Sequence, residues 1–199
     1  MEIIPTTNPL TNFAALEARL AEIKDLSSWI QIDVTDGVFA APPTFPLELL
    51  NRSDSNLENN LFDIHLMVKE PRNWLNKCLF IQASRVCAQV EMMSDREKFV
   101  TEAKDAGFEV ALAFNIDTPV TDIPSECDLI LLMGRPAGFG DYPLSEKIYS
   151  KIKEAKKFSK KIAVDGGVTP ENLPLLKDAG VDIVYSGQYF FKLINEKVS

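Results

Sequence analysis

The sequence predicts an α/β protein in which eight parallel strands close into a (β/α)8 TIM barrel, and three observations predict it. Short apolar runs alternate with amphipathic stretches along the whole chain, the pattern of strands joined by crossover helices. Most of the runs are continuously apolar rather than alternating, as a sheet covered on its outer face by helices requires. Three runs carry acids or the chain's only histidine where a strand ends, and a parallel barrel would gather those ends at one rim. Eight strand-helix units in 199 residues sit at the lower end of the size range for this architecture, and a doubly wound open sheet is the structural alternative.

The elements follow in order. Ile3-Ile4 is the first strand, and Asn12 to Asp25 is a helix that Asn12 can cap. The second strand runs from Trp29 to Val34 and the third from Leu61 to Val68. The stretch between them, Asn51 to Asn60, is too short and polar for a full helix, with Asn51-Arg52-Ser53-Asp54-Ser55-Asn56 reading as a surface loop. A helix from Arg72 to Gln82 leads to the fourth strand, Arg85 to Glu91, and a helix from Asp95 to Ala106, capped by Ser94 or Asp95, leads to the fifth, Glu109 to Asn115. Thr118 to Ser125 is the second trimmed crossover, before the sixth strand, Asp128 to Met133. A helix from Leu144 to Phe158 precedes the seventh strand, Lys161 to Val164. Thr169-Pro170 offers a cap and a first-turn proline for a helix from Glu171 to Asp178. The eighth strand is Ile183 to Ser186, followed by a helix from Gln188 to Glu196, and Ala106-Gly107 and Ala179-Gly180 read as helix stops.

With 46% hydrophobic residues and near-zero mean hydropathy, residues 1–199 read as one compact domain. A net charge of −8 argues against nonspecific binding to nucleic acid or to an anionic membrane face, since both need a basic patch. No run approaches the roughly 20 apolar residues of a membrane span, and Met1-Glu2-Ile3-Ile4-Pro5 lacks a secretory signal's basic start and apolar centre, so a cytoplasmic location is expected. Cys78, Cys87 and Cys127 are odd in number, widely spaced and set among apolar residues, which suits reduced packing thiols.

His65 stands in Phe62-Asp63-Ile64-His65-Leu66-Met67-Val68, Asp33 in Trp29-Ile30-Gln31-Ile32-Asp33-Val34-Thr35-Asp36-Gly37, and Asp165 in Ile162-Ala163-Val164-Asp165-Gly166-Gly167. Any one such residue is more often a loop hydrogen-bonding group than a catalyst, but three at strand ends of a barrel share a pocket. Two carboxylates on opposite sides of a small substrate can remove a proton from one face of a carbon and return one to the other, which is epimerisation. The carbon must lie beside a carbonyl, and the resulting enediolate needs a positive partner such as a divalent metal. One imidazole and two carboxylates suit zinc, iron, manganese or cobalt without selecting among them. Glycines at Gly138-Phe139-Gly140, Gly166-Gly167 and Gly187 follow the last three strands, where such barrels place a phosphate, although glycines also merely permit tight turns.

These residues resemble the ribulose-phosphate 3-epimerase family nearly end to end. Ile32-Asp33-Val34-Thr35-Asp36-Gly37-Val38-Phe39, Asp63-Ile64-His65-Leu66-Met67-Val68, Pro136-Ala137-Gly138-Phe139-Gly140, Val164-Asp165-Gly166-Gly167-Val168 and Ser186-Gly187 are each similar to a family segment, in the family's order. The resemblance implies a barrel of the ribulose-phosphate-binding type acting on a small phosphorylated ketose, D-ribulose 5-phosphate in exchange with D-xylulose 5-phosphate. It implies Asp33 and Asp165 as acid/base pair and metal ligands, His65 as a third ligand, and one divalent metal ion.

It also implies substrate contacts from Thr6, Met67 and Met133, and phosphate contacts from Gly138, Gly140, Gly166, Gly167, Gly187 and Gln188. Gln31 stands where the family has a fourth-ligand histidine, Thr6 where it has a serine and Thr35 where it has a methionine. Asp141 replaces a glycine and Gln188 a small residue. An amide oxygen is a poorer ligand than imidazole for a transition metal, and a carboxylate at Asp141 repels phosphate unless it turns outward or is paired. Two other readings stay open: an epimerase or isomerase of another ketose phosphate, and a noncatalytic barrel whose metal site has decayed. A homo-oligomer also stays open.

Overall fold

A computed structural model describes residues 1–50 and 57–196. Its strands are β1 (Glu2–Pro5), β2 (Trp29–Thr35), β3 (Leu61–Met67), β4 (Arg85–Gln89), β5 (Glu109–Phe114), β6 (Leu129–Met133), β7 (Lys161–Asp165) and β8 (Ile183–Ser186). All pair in parallel in the order β1-β8-β7-β6-β5-β4-β3-β2. A bridge between Thr6 and Gln31 brings the two remaining edges together, with the Thr7 N–H donating to the Gln31 carbonyl at 3.0 Å. The expected barrel is present, with all eight strands within two residues of their expected ends. The fourth strand stops at Gln89 because Val90–Met92 turns out of the sheet, where the Glu91 carboxylate accepts from the Asn115 N–H at 2.7 Å.

Period-two alternation sorts each strand into an outer and an inner face. Ile30, Ile32, Val34, Ile64, Leu66, Val110, Leu112, Ile130, Leu132, Val164 and Val184 face the helices and join the larger apolar core. Ile4, Cys87, Ala111, Ala113, Leu129, Leu131, Met133, Ala163, Ile183 and Tyr185 form a second core inside the barrel. The interior is divided by strand. On β5 to β8 it is mostly apolar, whereas β2, β3 and β4 turn Gln31, Asp33, Asp63, His65, Arg85 and Gln89 inward, all of them buried. Polar residues on the inner face of strands this deep need partners, and where they find them defines the molecule's chemistry.

The helices are α1 (Phe13–Ile23), α2 (Leu75–Phe80), α3 (Arg96–Asp105), α4 (Ile148–Ala155), α5 (Leu173–Asp178) and α6 (Phe190–Glu196). Asn12 caps α1, accepting from the Ala14 N–H at 2.9 Å, and Asp95 caps α3, accepting from the Lys98 N–H at 2.9 Å. Gly107 and Gly180, at φ 91° and 83°, end α3 and α5 with the left-handed turn that side chains resist.

Several helix starts differ from expectation. The helix expected from Arg72 to Gln82 opens as a 3-10 turn over Pro71–Trp74 and ends at Phe80, so α2 itself covers only its middle. The helix expected from Leu144 begins at Ile148, because the Ser145 N–H donates to the Gly134 carbonyl at 2.8 Å and straps the preceding stretch across the end of β6. The helix expected to open at Thr169-Pro170 begins at Leu173. The Thr169 N–H bonds Asn172 Oδ1 at 2.9 Å and Asn172 Nδ2 donates to the Gly167 carbonyl at 2.8 Å, closing a separate turn first. The last helix starts at Phe190, two residues late.

The trimmed crossover expected at Thr118 to Ser125 is seen among the described residues, with no helix between β5 and β6, while after β2 a 3-10 turn at Leu47–Leu49 precedes the other expected stretch, Asn51 to Asn60, most of which lies outside the described residues. The polar loop expected at 51–56 lies outside the described residues. All three cysteines are free and buried, and burial pushes the Cys78 thiol up to about 12, as for packing groups.

Candidate functional site

Asp33 on β2 and His65 on β3 are register partners, and β7 presents Asp165 to them from across the barrel. His65 Nδ1 lies 3.0 Å from Asp33 Oδ1 and 3.5 Å from Asp165 Oδ2. One ligand atom from each of the three residues falls within 4.8 Å of the others, so residues 132 positions apart meet as the sequence predicted. The Thr6 hydroxyl donates to Asp33 Oδ2 at 3.0 Å and fixes the second carboxylate oxygen.

Burial alone would lower the His65 pKa. Hydrogen bonds to Asp165 and Asp33, with the charges of both, more than reverse this and push it up to about 10. Asp165 moves the other way from an ordinary acid: burial and the charge of Asp33 raise it, against the lowering pull of His65 and Arg135.

Two buried acids facing each other with one imidazole between them are short of positive charge, and the mixed oxygen and nitrogen donors suit a divalent cation. Asp33, His65 and Asp165 could therefore hold one. Gln31 stands two residues before Asp33 on the same inner face, fully buried, and neither atom of its amide has a hydrogen-bond partner. An orphaned amide beneath a carboxylate pair is what an unused ligand or water contact looks like.

A cavity of about 380 Å³ opens at the carboxyl ends of β1, β6, β7 and β8. Asp165 borders it, together with Thr6, Gly138, Gly140, Gly166, Gly167, Gly187 and Gln188 from the sequence reading. Met67 and Met133 are buried at strand ends beside the triad, as register partners of Thr35 and Asp165, and do not border the cavity. The Thr35 hydroxyl donates to the Pro42 carbonyl at 2.8 Å, so this polar replacement is spent on the loop after β2.

Arg135, which the sequence reading passed over, also lines the cavity and donates to the Gly140 carbonyl. Its Nη1 lies 3.9 Å from Asp141, whose side chain is 83% exposed and so both turned outward and near a cation. Gly166, at φ 91°, makes room for it, since a Cβ there would sit 2.5 Å from Arg135 Cγ. The signal was present as the lone cation in a glycine-bearing loop after a strand.

The model of the Ribulose-phosphate 3 epimerase family matches residues 8–191. The chain belongs to this family. A ribulose-phosphate 3-epimerase of Chlamydia pneumoniae is 30% identical to it over 181 residues, covering 83% of this chain and 77% of the relative. One of Bacillus subtilis is 29% identical over 88% of this chain and 86% of the relative, and one of Treponema pallidum 28% over 90% and 87%. Among solved structures, a tryptophan synthase alpha-subunit mutant of Pyrococcus furiosus superposes with a TM-score of 0.68 at 15% identity, covering 98% of this chain and 91% of the other. Phosphoribosyl anthranilate isomerase of Thermus thermophilus gives 0.67 at 16%, over 94% and 87%. At these identities the two structures speak for the barrel alone. No helix among the described residues is long and apolar enough to cross a membrane.

This member of the ribulose-phosphate 3-epimerase family carries a second polar cluster, nearer the amino ends of the strands. Arg85 Nη1 donates to Asp63 Oδ2 at 2.9 Å and lies 3.0 Å from the Tyr185 hydroxyl, which itself donates to Asp63. Arg85 Nη2 donates to Glu109 at 2.9 Å, and the guanidinium lies over the Trp29 ring at 4.2 Å. Burial and Asp63 hold the Tyr185 phenol well above its usual pKa, so it remains a donor. An acid and an arginine inside otherwise apolar strands were the available signal.

Proposed function

We propose that the chain interconverts D-ribulose 5-phosphate and D-xylulose 5-phosphate by moving a proton between the two faces of carbon 3, with Asp33 and Asp165 as the acid/base pair. The observation that carries this reading is the meeting of Asp33, His65 and Asp165, from three separate strands, within 4.8 Å. One carboxylate takes the proton beside the ketone and leaves an enediolate; the other returns a proton to the opposite face, and the reverse reaction exchanges the roles. Burial and the charge of Asp33 raise the pKa of Asp165, the direction that favours return of a proton from this carboxyl, while the Thr6 hydroxyl keeps Asp33 oriented. Asp33, His65 and Asp165, with the unpartnered Gln31 amide as the candidate fourth side chain, would hold a divalent metal, which would supply stabilising positive charge to the enediolate oxygens; zinc, iron, manganese and cobalt all suit these donors.

Thr6, Met67 and Met133 shape the sugar end of the site. Gly138, Gly140, Gly166, Gly167, Gly187 and Gln188 take the phosphate, and Arg135 supplies the cation that offsets Asp141. Incubation of the purified protein with ribulose 5-phosphate in heavy water, across the four metals, is expected to put deuterium on carbon 3 and to form xylulose 5-phosphate. Absence of both with every metal defeats the proposal. The polar wall made by Arg135, Asp141 and Gln188 favours a second reading, in which another ketose phosphate is the better substrate; a higher kcat/KM on such a sugar, allulose 6-phosphate among them, selects it.

A further inference from the structure

The inner face of β4 ends in Gln89, a fully buried side chain with one unused atom. Its Nε2 lies 3.1 Å from His65 Nε2, while its Oε1 has no hydrogen-bond partner. The other ring nitrogen, Nδ1, points between Asp33 and Asp165 at 3.0 and 3.5 Å. These three facts conflict whether the Nδ1 side faces a proton or a metal cation, because in either case the other ring nitrogen carries a proton. A cation held from the Nδ1 side needs the Nδ1 lone pair, which sends the ring proton to Nε2, and an Nε2–H facing an amide N–H sets two donors against each other. Half a turn about the last side-chain torsion exchanges the amide oxygen and nitrogen in almost the same volume. The orphaned Oε1 then takes the proton it lacks.

We propose that Gln89 is a positioning residue, whose amide oxygen accepts the His65 Nε2–H and so holds the imidazole in the tautomer that turns its Nδ1 lone pair toward Asp33 and Asp165. This rests on the proposed metal site. Gln89 touches neither substrate nor cation; it acts through His65, as the outer partner that a ligating histidine requires. Leucine or methionine in its place would leave the Nε2–H buried without an acceptor. Glutamate would retain the acceptor.

His65 is the only histidine in the sequence, so ring 15N-histidine labelling reports this one residue. In the zinc-loaded protein, the proton is expected on Nε2, with Nδ1 unprotonated and shifted by the metal. By competition with a chromogenic chelator, Gln89→Met is expected to lose about 10- to 100-fold in zinc affinity, and Gln89→Glu to keep most of it. Melting curves without zinc show whether each variant is folded. A proton on Nδ1 in the zinc-loaded wild type, or a folded Gln89→Met that binds zinc as tightly as the wild type, overturns the role of Gln89 while leaving the metal site standing. A wild type that takes up no zinc at the triad, so that Asp33→Asn changes nothing, overturns the metal site and this inference with it.

Discussion

Two polar clusters share the interior of one barrel, and they differ in how their charge is balanced. At the floor, Asp63 meets Arg85, whose second nitrogen reaches the partly exposed Glu109 and whose plane covers Trp29. At the rim, Asp33 and Asp165 meet a single imidazole. The floor has its own permanent cation, because a guanidinium stays charged at any accessible pH. The rim has a borrowed one: His65 is charged only so long as the two acids hold its proton against burial. A self-contained ion pair stiffens a fold, whereas a cluster short of positive charge can take a cation and exchange protons. The difference separates scaffold from chemistry within a single ring of strands.

The sharpest way to break the comparison is to neutralise one acid at each level. Asp165→Asn is expected to lower epimerisation by about 10²- to 10⁴-fold, the usual range for a lost acid or base. It should leave melting unchanged or raised, since it removes one of two buried, mutually repelling carboxylates. A variant that keeps wild-type kcat would end the assignment of Asp165. Arg85→Met should do the reverse. It strands Asp63 and the Tyr185 hydroxyl without their partner, a loss of about 3–5 kcal/mol in buried pairs. For a chain of this size that is a fall in Tm of roughly 6–20 °C. Folded Arg85→Met molecules, assayed well below that Tm, should still turn over.

How far these levels were legible in the sequence follows from the range of the forces that made them. Apolar runs, most of them continuous, marked all eight strands, because burial on both faces leaves its imprint on neighbouring residues. Helix starts were less legible, since the strap ahead of α4 depends on a carbonyl at Gly134 that no local pattern announces. The triad could be read because its members sit at strand ends, where a barrel imposes convergence. The floor could not: Arg85 is 22 residues from Asp63 and 100 from Tyr185, and only the actual register brings the three together. Arg135 was hidden differently, as a loop cation whose direction depends on the space left by Gly166.

The borrowed charge at the rim gives the comparison a pH axis. With its folded pKa at about 10, above the ordinary 6.5, His65 contributes stability that is complete below about pH 6.5 and lost as pH rises through 10. With a chelator present, the Tm advantage of the wild type over His65→Gln should therefore shrink between pH 7 and 11, by at most about 1.4 kcal/mol for each unit crossed. Arg85, permanently charged, should show no such loss in a parallel comparison of wild type with Arg85→Met. An advantage of His65 that stays constant to pH 11 would mean that the imidazole is neutral throughout and the rim carries no borrowed charge.

The smallest effect is expected where an arginine and an aspartate meet in water rather than in the barrel. Arg135 and Asp141 repeat the chemistry of Arg85 and Asp63, but at 3.9 Å and with Asp141 83% exposed. Solvent screening holds such a pair to about 0–1 kcal/mol. Asp141→Gly should thus leave Tm within roughly 1–4 °C of the wild type, a change that separates it cleanly from Arg85→Met. Its consequence lies in binding. Freed from the neighbouring carboxylate, Arg135 should hold a dianionic phosphate more tightly, so KM for the sugar phosphate falls by about two- to fivefold, matching less than 1 kcal/mol, with kcat unchanged. Steady-state kinetics at low and high salt read this directly, because an electrostatic gain at an exposed site shrinks as ionic strength rises. A KM that does not move, or rises, would mean that Arg135 faces the loop rather than the phosphate, and that the two arginine–aspartate pairs are both structural.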